Sequence, residues 1–323
     1  MTTTAKHRHR LPQIEGGLFL TDGGLETTLI YHHGWELPLF EAFVLLESER
    51  GRAALRDYFD RYVPLAVGRG HGFLLESPTW RANPDWAAKA AISLERLAGI
   101  NRAAIALMRE IRDAYETPTS PIVISGCIGP RGDGYDPGRL MSAEGAESYH
   151  GWQVGILAAT SADLVSAITM TNVPEAIGIA RAARRAGLPC VVSFTVETDG
   201  RLPTGDRLGA AIEAVDAATD GAPVYYMINC AHPTHFEHVL DAGAAWTQRL
   251  GGVRANASRR SHAELDQACQ LDSGDPEELG RLYARLRRLL PGLRVLGGCC
   301  GTDHRHVAAI GSACGHSPPR AAA

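Results

Sequence analysis

Three cysteines in the C-terminal third of the chain combine residue type and spacing in a way that suggests chemistry. Cys230 ends the apolar run PVYYMIN, and Cys299 with Cys300 lies within GGCCGT. Thiolates are soft ligands that favour zinc over magnesium or calcium, and three of them leave one corner of a tetrahedral site open. Flanking glycines let the backbone turn tightly enough for two consecutive side chains to reach one ion. One interpretation is therefore a Zn²⁺ site formed by these three residues.

Such a site would favour one kind of reaction. Three sulfur ligands carry net negative charge, which makes zinc a poor electrophile toward water. A thiol bound at the open corner would nevertheless lose its proton near neutral pH and stay nucleophilic. The zinc interpretation thus predicts alkylation of a thiolate rather than hydrolysis.

Two other interpretations of these cysteines stay open at this level. A vicinal cysteine pair could be a redox element, although a disulfide between neighbours is strained and rare in the cytosol. The glycine-rich tract could instead be a phosphate cradle, which barrels often carry near strands seven and eight. The remaining cysteines are isolated and are interpreted as small buried hydrophobes: Cys127, Cys190, Cys269 and Cys314.

The elements that must position these residues form a repeating pattern of a short apolar run followed by a helical stretch. The eight runs are GLFLTDGG, GFLLESPT, PIVISGCIG, ADLVSAIT, LPCVVSFTV, PVYYMINC, LGGVRANAS and LRVLGGCCG. The amphipathic stretches between them include 47–67, 93–115, 175–186 and 276–290. Runs that are apolar throughout are typical of a parallel sheet covered by helices. Eight such units predict an α/β fold, a (β/α)8 TIM barrel.

A doubly wound open sheet is the structural alternative, but it normally carries a nucleotide loop, and neither GxGxxG nor GxxxxGK[ST] occurs. We expect a single-domain barrel over residues 14–311, preceded by a disordered tail at 1–13 and followed by a loose tail at 312–323. The loop GPRGDGYDPGRL (129–140) is long enough to act as a lid over the barrel mouth.

Composition narrows the function classes. The chain has 323 residues, 45% hydrophobic and 21% charged, with a net charge of -4, so it can bury a sizeable core and has no general attraction for nucleic acid or acidic membranes. No apolar run reaches the ~18–20 residues that span a bilayer, and no apolar secretory segment follows the polar N-terminus. A cytoplasmic protein is expected. Lys6 and Lys89 are the only lysines, and neither ends a strand, which argues against Schiff-base or pyridoxal phosphate chemistry.

In a barrel the active site lies where strands end, and several motifs at these positions resemble one family. NCAHP (229–233) and GGCCGT (297–302) resemble the paired zinc motifs of the homocysteine S-methyltransferase family. TDGGLET (21–27), GCIGPRGD (126–133) and GGVRANAS (251–258) resemble further motifs of that family in matching order. The resemblance extends over about residues 18–310.

The resemblance implies a zinc-dependent barrel that transfers a methyl group to the sulfur of homocysteine, giving methionine. It implies Cys230, Cys299 and Cys300 as catalytic zinc ligands. The expected partners are a small-molecule thiol acceptor and an activated methyl donor, a sulfonium or a quaternary ammonium, with no nucleic acid and no membrane. The identity of the donor and the formation of a homo-oligomer stay open.

Two departures from the family pattern put the acceptor in question. Many members carry a Glu-Thr pair at the end of the fourth strand, whose carboxylate helps to hold the amino group of homocysteine, whereas this chain has Ile168-Thr169. The second strand ends in Glu76-Ser77-Pro78-Thr79-Trp80 instead of a Thr-Asn-Thr-aromatic segment. Glu76 could replace the lost charge, or the acceptor could be a different thiol without that amino group. A catalytically silent barrel that binds zinc or thiols is a further alternative.

The expected substrate-binding residues all lie at strand ends. Asp22 is the further acidic candidate for ammonium recognition, although it could instead be a turn residue before Gly23. The aromatic face of Trp80 suits a cationic methyl donor. Asn229 and Asn256 could donate hydrogen bonds into the pocket or could satisfy loop backbone. The complete expected set is Asp22, Gly23, Glu76, Thr79, Trp80, Asn229 and Asn256.

Overall fold

Eight parallel strands close into a barrel in the computed structural model, which describes residues 4–315. Each strand pairs with the next in sequence, and β8 returns to β1 through the Cα pairs Phe19–Val295 and Leu20–Leu296. The strands are β1 Phe19–Leu20, β2 Gly72–Glu76, β3 Ile122–Ile128, β4 Leu164–Met170, β5 Cys190–Phe194, β6 Pro223–Asn229, β7 Leu250–Ala255 and β8 Val295–Gly298. The predicted (β/α)8 barrel and all eight predicted strands are confirmed.

Helical segments connect the strands. They are α1 Pro12–Glu15, α2 Leu25–Thr27, α3 Glu49–Phe59, α4 Val63–Val67, α5 Pro84–Lys89, α6 Leu94–Tyr115, α7 Ala143–Ala158, α8 Val173–Arg185, α9 Leu208–Thr219, α10 Pro233–Phe236, α11 His262–Asp266, α12 Pro276–Leu289 and α13 His304–Cys314. Short 3₁₀ or π turns occur at Thr28–His32, Pro38–Phe40, Ala42–Glu47, Glu237–Val239 and Ala245–Arg249. None of the helices in residues 4–315 combines the length and apolarity that a bilayer crossing requires.

Side-chain caps define where the longer helices begin. Ser93 and Asn172 accept hydrogen bonds from the backbone N–H groups of Arg96 and Glu175, which starts α6 and α8. The stretch 47–67, expected to be one helix, is two, because α3 ends at Phe59 and α4 begins at Val63 with a proline in its first turn.

Two apolar layers hold the barrel together. The larger lies between the sheet and the surrounding helices, and the smaller fills the interior of the barrel. Interior side chains include Phe19, Leu74, Val123, Leu164, Val191, Met227 and Val295. Cys127 and Ile168 belong to the same interior layer and also line the cavity above it, so this cavity has an apolar floor.

An irregularity in β4 changes the side chains presented to that cavity. The register between β4 and β5 shifts between Ala167 and Met170, and Thr169 adopts a φ of 65°. Left-handed backbone costs a non-glycine residue free energy and persists where the surroundings enforce it. Here Asn229 accepts a hydrogen bond from the Thr169 N–H at 2.9 Å and donates one to its hydroxyl at 2.8 Å. Ile168 and Thr169 both line the cavity as a result.

The N-terminal segment differs from the expected disordered tail. The Arg8 guanidinium donates hydrogen bonds to the carbonyls of Ala158, Thr160 and Ala162, where α7 ends. The His7 N–H donates to Asp163 at 2.7 Å, and Leu11 is buried against the interior layer. From residue 7 onward the segment therefore closes the N-terminal end of the barrel.

The C-terminal boundary also lies later than expected. Helix α13 continues to Cys314, which is buried, so residues 312–314 belong to the barrel. Residues 316–323 of the expected loose tail lie outside the described residues.

Candidate metal centre and substrate cavity

Three sulfur atoms meet at the carboxyl ends of β6 and β8. The Sγ atoms of Cys230, Cys299 and Cys300 all lie within 4.8 Å of one another, and those of Cys230 and Cys299 are 2.7 Å apart. All seven cysteines are free. Convergence of soft donors from two distant segments, beside an open cavity, fits a tetrahedral zinc ion with one position left for a ligand.

The backbone at Cys230 is held in an unusual conformation. Its φ is 53°, in the left-handed region. Its carbonyl oxygen accepts hydrogen bonds from Asn256 Nδ2 at 3.0 Å and from His262 Nε2 at 2.7 Å. The other nitrogen of His262 lies 2.9 Å from Glu197 Oε1. These contacts enforce the strained conformation and thereby aim the Cys230 sulfur at its two partners.

Close backbone packing positions the other two sulfurs. The Cys299 N–H donates to the carbonyl of Ala255 at 2.8 Å, and the Thr302 hydroxyl donates to the Cys299 carbonyl at 2.6 Å. A Cβ atom at Gly298 would overlap the Thr302 side chain, so glycine is required directly before the cysteine pair.

The cluster favours ionisation of one sulfur. Hydrogen bonds from the Cys230 and Cys300 thiols lower the pKa of Cys299, and the nearby Arg254 guanidinium lowers it further. The cluster therefore favours the thiolate form of Cys299, the protonation state in which cysteine binds metal.

A cavity of about 360 Å³ opens beside the three sulfurs. Its wall combines acidic, basic and aromatic side chains with an apolar floor. The functional groups that line it are Asp22, Glu26, Glu76, Arg81, Asp133, Asp266, Arg254, Phe40, Trp80 and Tyr135, together with Cys127, Ile168 and Thr169. Such a mixture suits a small ligand that carries both charge and hydrocarbon.

Four of the seven predicted substrate-binding residues line this cavity with the cysteines, namely Asp22, Gly23, Glu76 and Trp80. The other three lie behind it. Thr79 is fully buried and donates to the Cys127 carbonyl at 2.7 Å. Asn229 braces Thr169, and Asn256 braces the Cys230 carbonyl. The structure therefore gives the two asparagines the backbone-supporting role, which was one of the two alternatives.

Asp22 is already engaged by three donors. Its oxygens accept hydrogen bonds from Thr21 Oγ1 at 2.9 Å, Tyr58 Oη at 3.0 Å and Arg254 Nη2 at 2.7 Å. These contacts hold Asp22 in place on the cavity wall, and the expectation that it receives a substrate ammonium stays a prediction. Sequence reasoning missed Arg254, although a single arginine inside the otherwise uncharged run LGGVRANAS was a readable signal.

Glu76 differs from Asp22 in its hydrogen bonding. It is 4% exposed, and neither carboxylate oxygen has a hydrogen-bond partner among residues 4–315. Burial raises the pKa of Glu76 to about 7, although Arg254 opposes the shift. A buried carboxylate without a partner beside a cavity is a candidate for binding a cationic ligand group.

The loop after β3 contributes one wall of the cavity through Asp133, Gly134 and Tyr135. The Tyr135 ring stacks on His262 with centroids 3.9 Å apart, and its hydroxyl donates to Cys300 Sγ at 3.8 Å. An ion pair of 3.3 Å joins Asp133 to Arg81 on the opposite side. The loop therefore contacts both the cysteine cluster and the rim.

Comparisons with known proteins agree with this arrangement. The family described as homocysteine S-methyltransferase matches residues 19–314. Selenocysteine Se-methyltransferase of Brassica oleracea var. italica is 25% identical over 91% of this chain and 88% of its own length. Homocysteine S-methyltransferase 3 of Arabidopsis thaliana is 23% identical over 95% and 92%.

Solved structures show the same fold. The metallated form of the homocysteine methyltransferase MmuM from Escherichia coli superimposes with a TM-score of 0.70 at 21% identity, covering 94% of this chain and 98% of that one. Its oxidized form gives a TM-score of 0.71 at 22% identity, covering 95% and 98%.

Proposed function

The chain belongs to the homocysteine S-methyltransferase family, and we propose that it transfers a methyl group from an activated donor to a thiol acceptor bound beside the cysteine cluster. One observation carries the proposal. Cys230, Cys299 and Cys300 come from strand ends far apart in sequence, yet their sulfurs meet within 4.8 Å on the wall of the main cavity.

Zn²⁺ is the proposed cofactor, held by Cys230, Cys299 and Cys300. Three soft donors from buried or half-buried cysteines fit it, and their disposition beside the cavity leaves room for a ligand sulfur. When bound, the ion supplies a lowered pKa to the acceptor thiol, so that the acceptor reacts as a thiolate.

The chain's own residues orient the two substrates. The acceptor sulfur attacks the methyl carbon, the methyl group moves to that sulfur, and the donor leaves as a neutral thioether or amine. A sulfonium or quaternary ammonium donor suits the cavity because the aromatic side chains Phe40, Trp80 and Tyr135 line it. Glu26 adds a carboxylate on the same wall. Alignment inside an enclosed cavity removes much of the entropy cost of bringing two small molecules together.

Homocysteine is the proposed acceptor, with Glu76 taking over the ammonium-binding role that Ile168 cannot perform. The unpartnered, buried carboxylate of Glu76 supports this assignment, whereas the carboxylate of Asp22 already accepts three hydrogen bonds from the protein. Charge-assisted hydrogen bonds of this kind contribute about 1.5–3 kcal/mol.

The loop 129–140 is proposed to act as a lid. Tyr135 contacts Cys300 and His262, and Asp133 contacts Arg81, so closing the loop completes the cavity wall. Such closure excludes water from the reacting groups.

We also assign the reaction to the cytoplasm. Seven free cysteines suit a reducing compartment, in which thiolate ligands and a thiol substrate both persist.

The test combines turnover with metal content. Zinc-loaded protein is incubated with homocysteine and, separately, with S-methylmethionine, S-adenosylmethionine or betaine, and methionine is measured. We expect methionine with at least one donor and one zinc per chain, both lost in Cys299→Ser. Cys269→Ser is the matched control because Cys269, which was expected to be buried, is instead exposed and lies outside this cavity. Full zinc content in Cys299→Ser, or no methionine from any donor, would contradict the proposal.

A further inference from the structure

Arg254 is a buried cation whose guanidinium is only partly used by the protein. Nε donates to the Gly298 carbonyl at 3.1 Å, and Nη2 donates to Asp22 Oδ1 at 2.7 Å and to the Gly23 carbonyl at 3.4 Å. No residue in 4–315 accepts a hydrogen bond from Nη1. The residue is 7% exposed and lines the cavity. One edge of a rigid, planar set of donors therefore has no partner among the described residues.

Glu76 lines the same cavity with the opposite charge. Both of its oxygens are buried and have no partner among the described residues. It makes no hydrogen bond to Arg254, yet the two groups are close enough for each to shift the pKa of the other. The hydroxyls of Ser125 and Ser166 next to it are 2.7 Å apart and bond to each other. A cation and an anion thus face one cavity without pairing directly.

We propose that Arg254 and Glu76 form a clamp for the two charges of an α-amino acid thiol, in which Arg254 Nη1 binds the carboxylate and Glu76 binds the ammonium. The clamp rests on the proposed function, since the cysteine cluster must receive the thiol at the other end of the acceptor. Arg254 is thereby a specificity-determining residue, and Asp22 is a positioning residue that holds the guanidinium in place.

The surrounding residues explain why this pair, and not Asp22, reads the acceptor. Asp22 already accepts hydrogen bonds from three protein donors, whereas both oxygens of Glu76 are free to accept from an ammonium. Ile168 contributes apolar surface to the same cavity, against which the methylene groups of the acceptor would pack. A zwitterion adds no net charge to the cavity. Its carboxylate would pair with Arg254 and its ammonium with Glu76, so both buried groups gain a partner together.

The clamp predicts discrimination against thiols that lack either charge, because each leaves one buried group unpaired. The three probes are homocysteine, 4-mercaptobutyrate, which lacks the ammonium, and 3-mercaptopropylamine, which lacks the carboxylate. The wild-type protein is expected to prefer homocysteine over each of the others by about 10- to 100-fold in kcat/KM, the range of a charge-assisted hydrogen bond.

Variants separate the two halves of the clamp. Arg254→Lys keeps a cation beside Asp22 but loses the free Nη1 edge, so it should use homocysteine and 3-mercaptopropylamine equally well. Glu76→Gln should equalise homocysteine and 4-mercaptobutyrate instead. If Arg254 serves only as the counter-ion of Asp22, Arg254→Lys will retain the wild-type preference, which would overturn the proposal. The double variant Asp22→Asn/Arg254→Met removes both charges together. It replaces Arg254→Lys in the comparison of the thiols if that single variant does not fold.

Two controls keep this result distinct from the proposed function. Arg112→Lys changes another buried arginine, paired with Asp163 at the far end of the barrel, and should leave the preference unchanged. Calorimetric binding of the three thiols to the zinc-loaded protein should give the same order without any donor. Absence of methyl transfer to any thiol would contradict the proposed function alone, whereas equal binding of all three thiols would overturn the clamp.

Discussion

The two ends of the barrel each bury an arginine paired with an aspartate, but only the pair at the C-terminal end lines the cavity. At the N-terminal end, Asp163 accepts from Arg112 Nη1 at 3.0 Å, the Ile124 N–H at 2.9 Å and the His7 N–H at 2.7 Å. At the C-terminal end, Asp22 likewise accepts three hydrogen bonds, but its partner Arg254 lines the cavity together with Glu76, whose carboxylate has no partner among the described residues.

The same kind of buried ion pair therefore has a structural role at one end of the barrel and a functional role at the other. The first pair, closed by the N-terminal segment, ties α6 to the starts of β3 and β4. The second lies beside an unpartnered carboxylate, and a buried charge without a partner on a cavity wall is a candidate for completion by a ligand. The unpartnered charge of Glu76 therefore distinguishes the functional end from the structural one.

The largest effect should come from removing a sulfur at the functional end. Cys299→Ser is expected to lower methyl transfer on the order of 1000-fold, because the acceptor would no longer be held as a thiolate. Cys190→Ala removes a buried thiol at the start of β5, outside the main cavity, and should leave turnover within a few-fold. Methionine formation and zinc content are measured for both variants. Equal losses of the two quantities in Cys299→Ser and Cys190→Ala would contradict the functional difference between the two ends.

Breaking the structural pair should change stability instead. Arg112→Met leaves Asp163 buried without its cation, which should reduce the free energy of unfolding by about 3–5 kcal/mol. The KM for homocysteine should not change, because the pair lies at the opposite end from the cavity. Urea denaturation and steady-state kinetics at low temperature test this, and a raised KM with unchanged stability would reverse the assignment of roles.

The pH dependence should identify Glu76 at the functional end. Its pKa is about 7 in the free protein, so the carboxyl is protonated below that pH and ionised above it. Since an ammonium binds the ionised form, kcat/KM for homocysteine should fall up to tenfold per pH unit below 7.

The groups that face Glu76 are Asp22, Arg254 and the hydroxyls of Ser125 and Ser166. Glu76→Gln should remove the acid limb that distinguishes homocysteine from 4-mercaptobutyrate, since the latter has no ammonium. Glu26→Gln is the matched control, because desolvation raises the pKa of Glu26 to about 7 as well. If the acid limb disappears in Glu26→Gln but not in Glu76→Gln, the titrating group is Glu26, which would contradict the prediction.

The smallest effect should come from the loop that covers the functional end. Tyr135→Phe keeps the stacking on His262 but loses the hydrogen bond to Cys300, which should change kcat by about 3- to 10-fold. Tyr31→Phe, at an exposed position, should have no effect. Identical kinetics of Tyr135→Phe and the wild type would show that the hydroxyl has no part in the reaction.

The fold and the cysteine cluster could be predicted because both depend on local signals. Apolar runs define the eight strands, and cysteines directly after two of them lie at the same end of a parallel barrel. The motifs NCAHP and GGCCGT, through their family resemblance, then favoured a shared metal site over the alternatives. The pairing of Asp22 with Arg254 could not be predicted, because it joins residues 232 positions apart and depends on the register of β1, β8 and β7.

Other long-range contacts of polar groups could not be predicted either. Asp22 and Asn256 occupy the expected strand ends, but their side chains bond to the protein itself. The N-terminal segment was expected to be disordered from its polar composition, yet the carbonyls at the end of α7 and the carboxylate of Asp163 bind it. Composition reports average solvation and does not reveal a specific partner elsewhere in the chain.

X-ray absorption at the zinc edge, measured with and without homocysteine, tests the central claim most directly. The account predicts one zinc per chain with three sulfur neighbours from Cys230, Cys299 and Cys300, and a fourth sulfur neighbour once homocysteine is added. A zinc-loaded protein whose metal has fewer than three sulfur neighbours, or gains none from homocysteine, would contradict it.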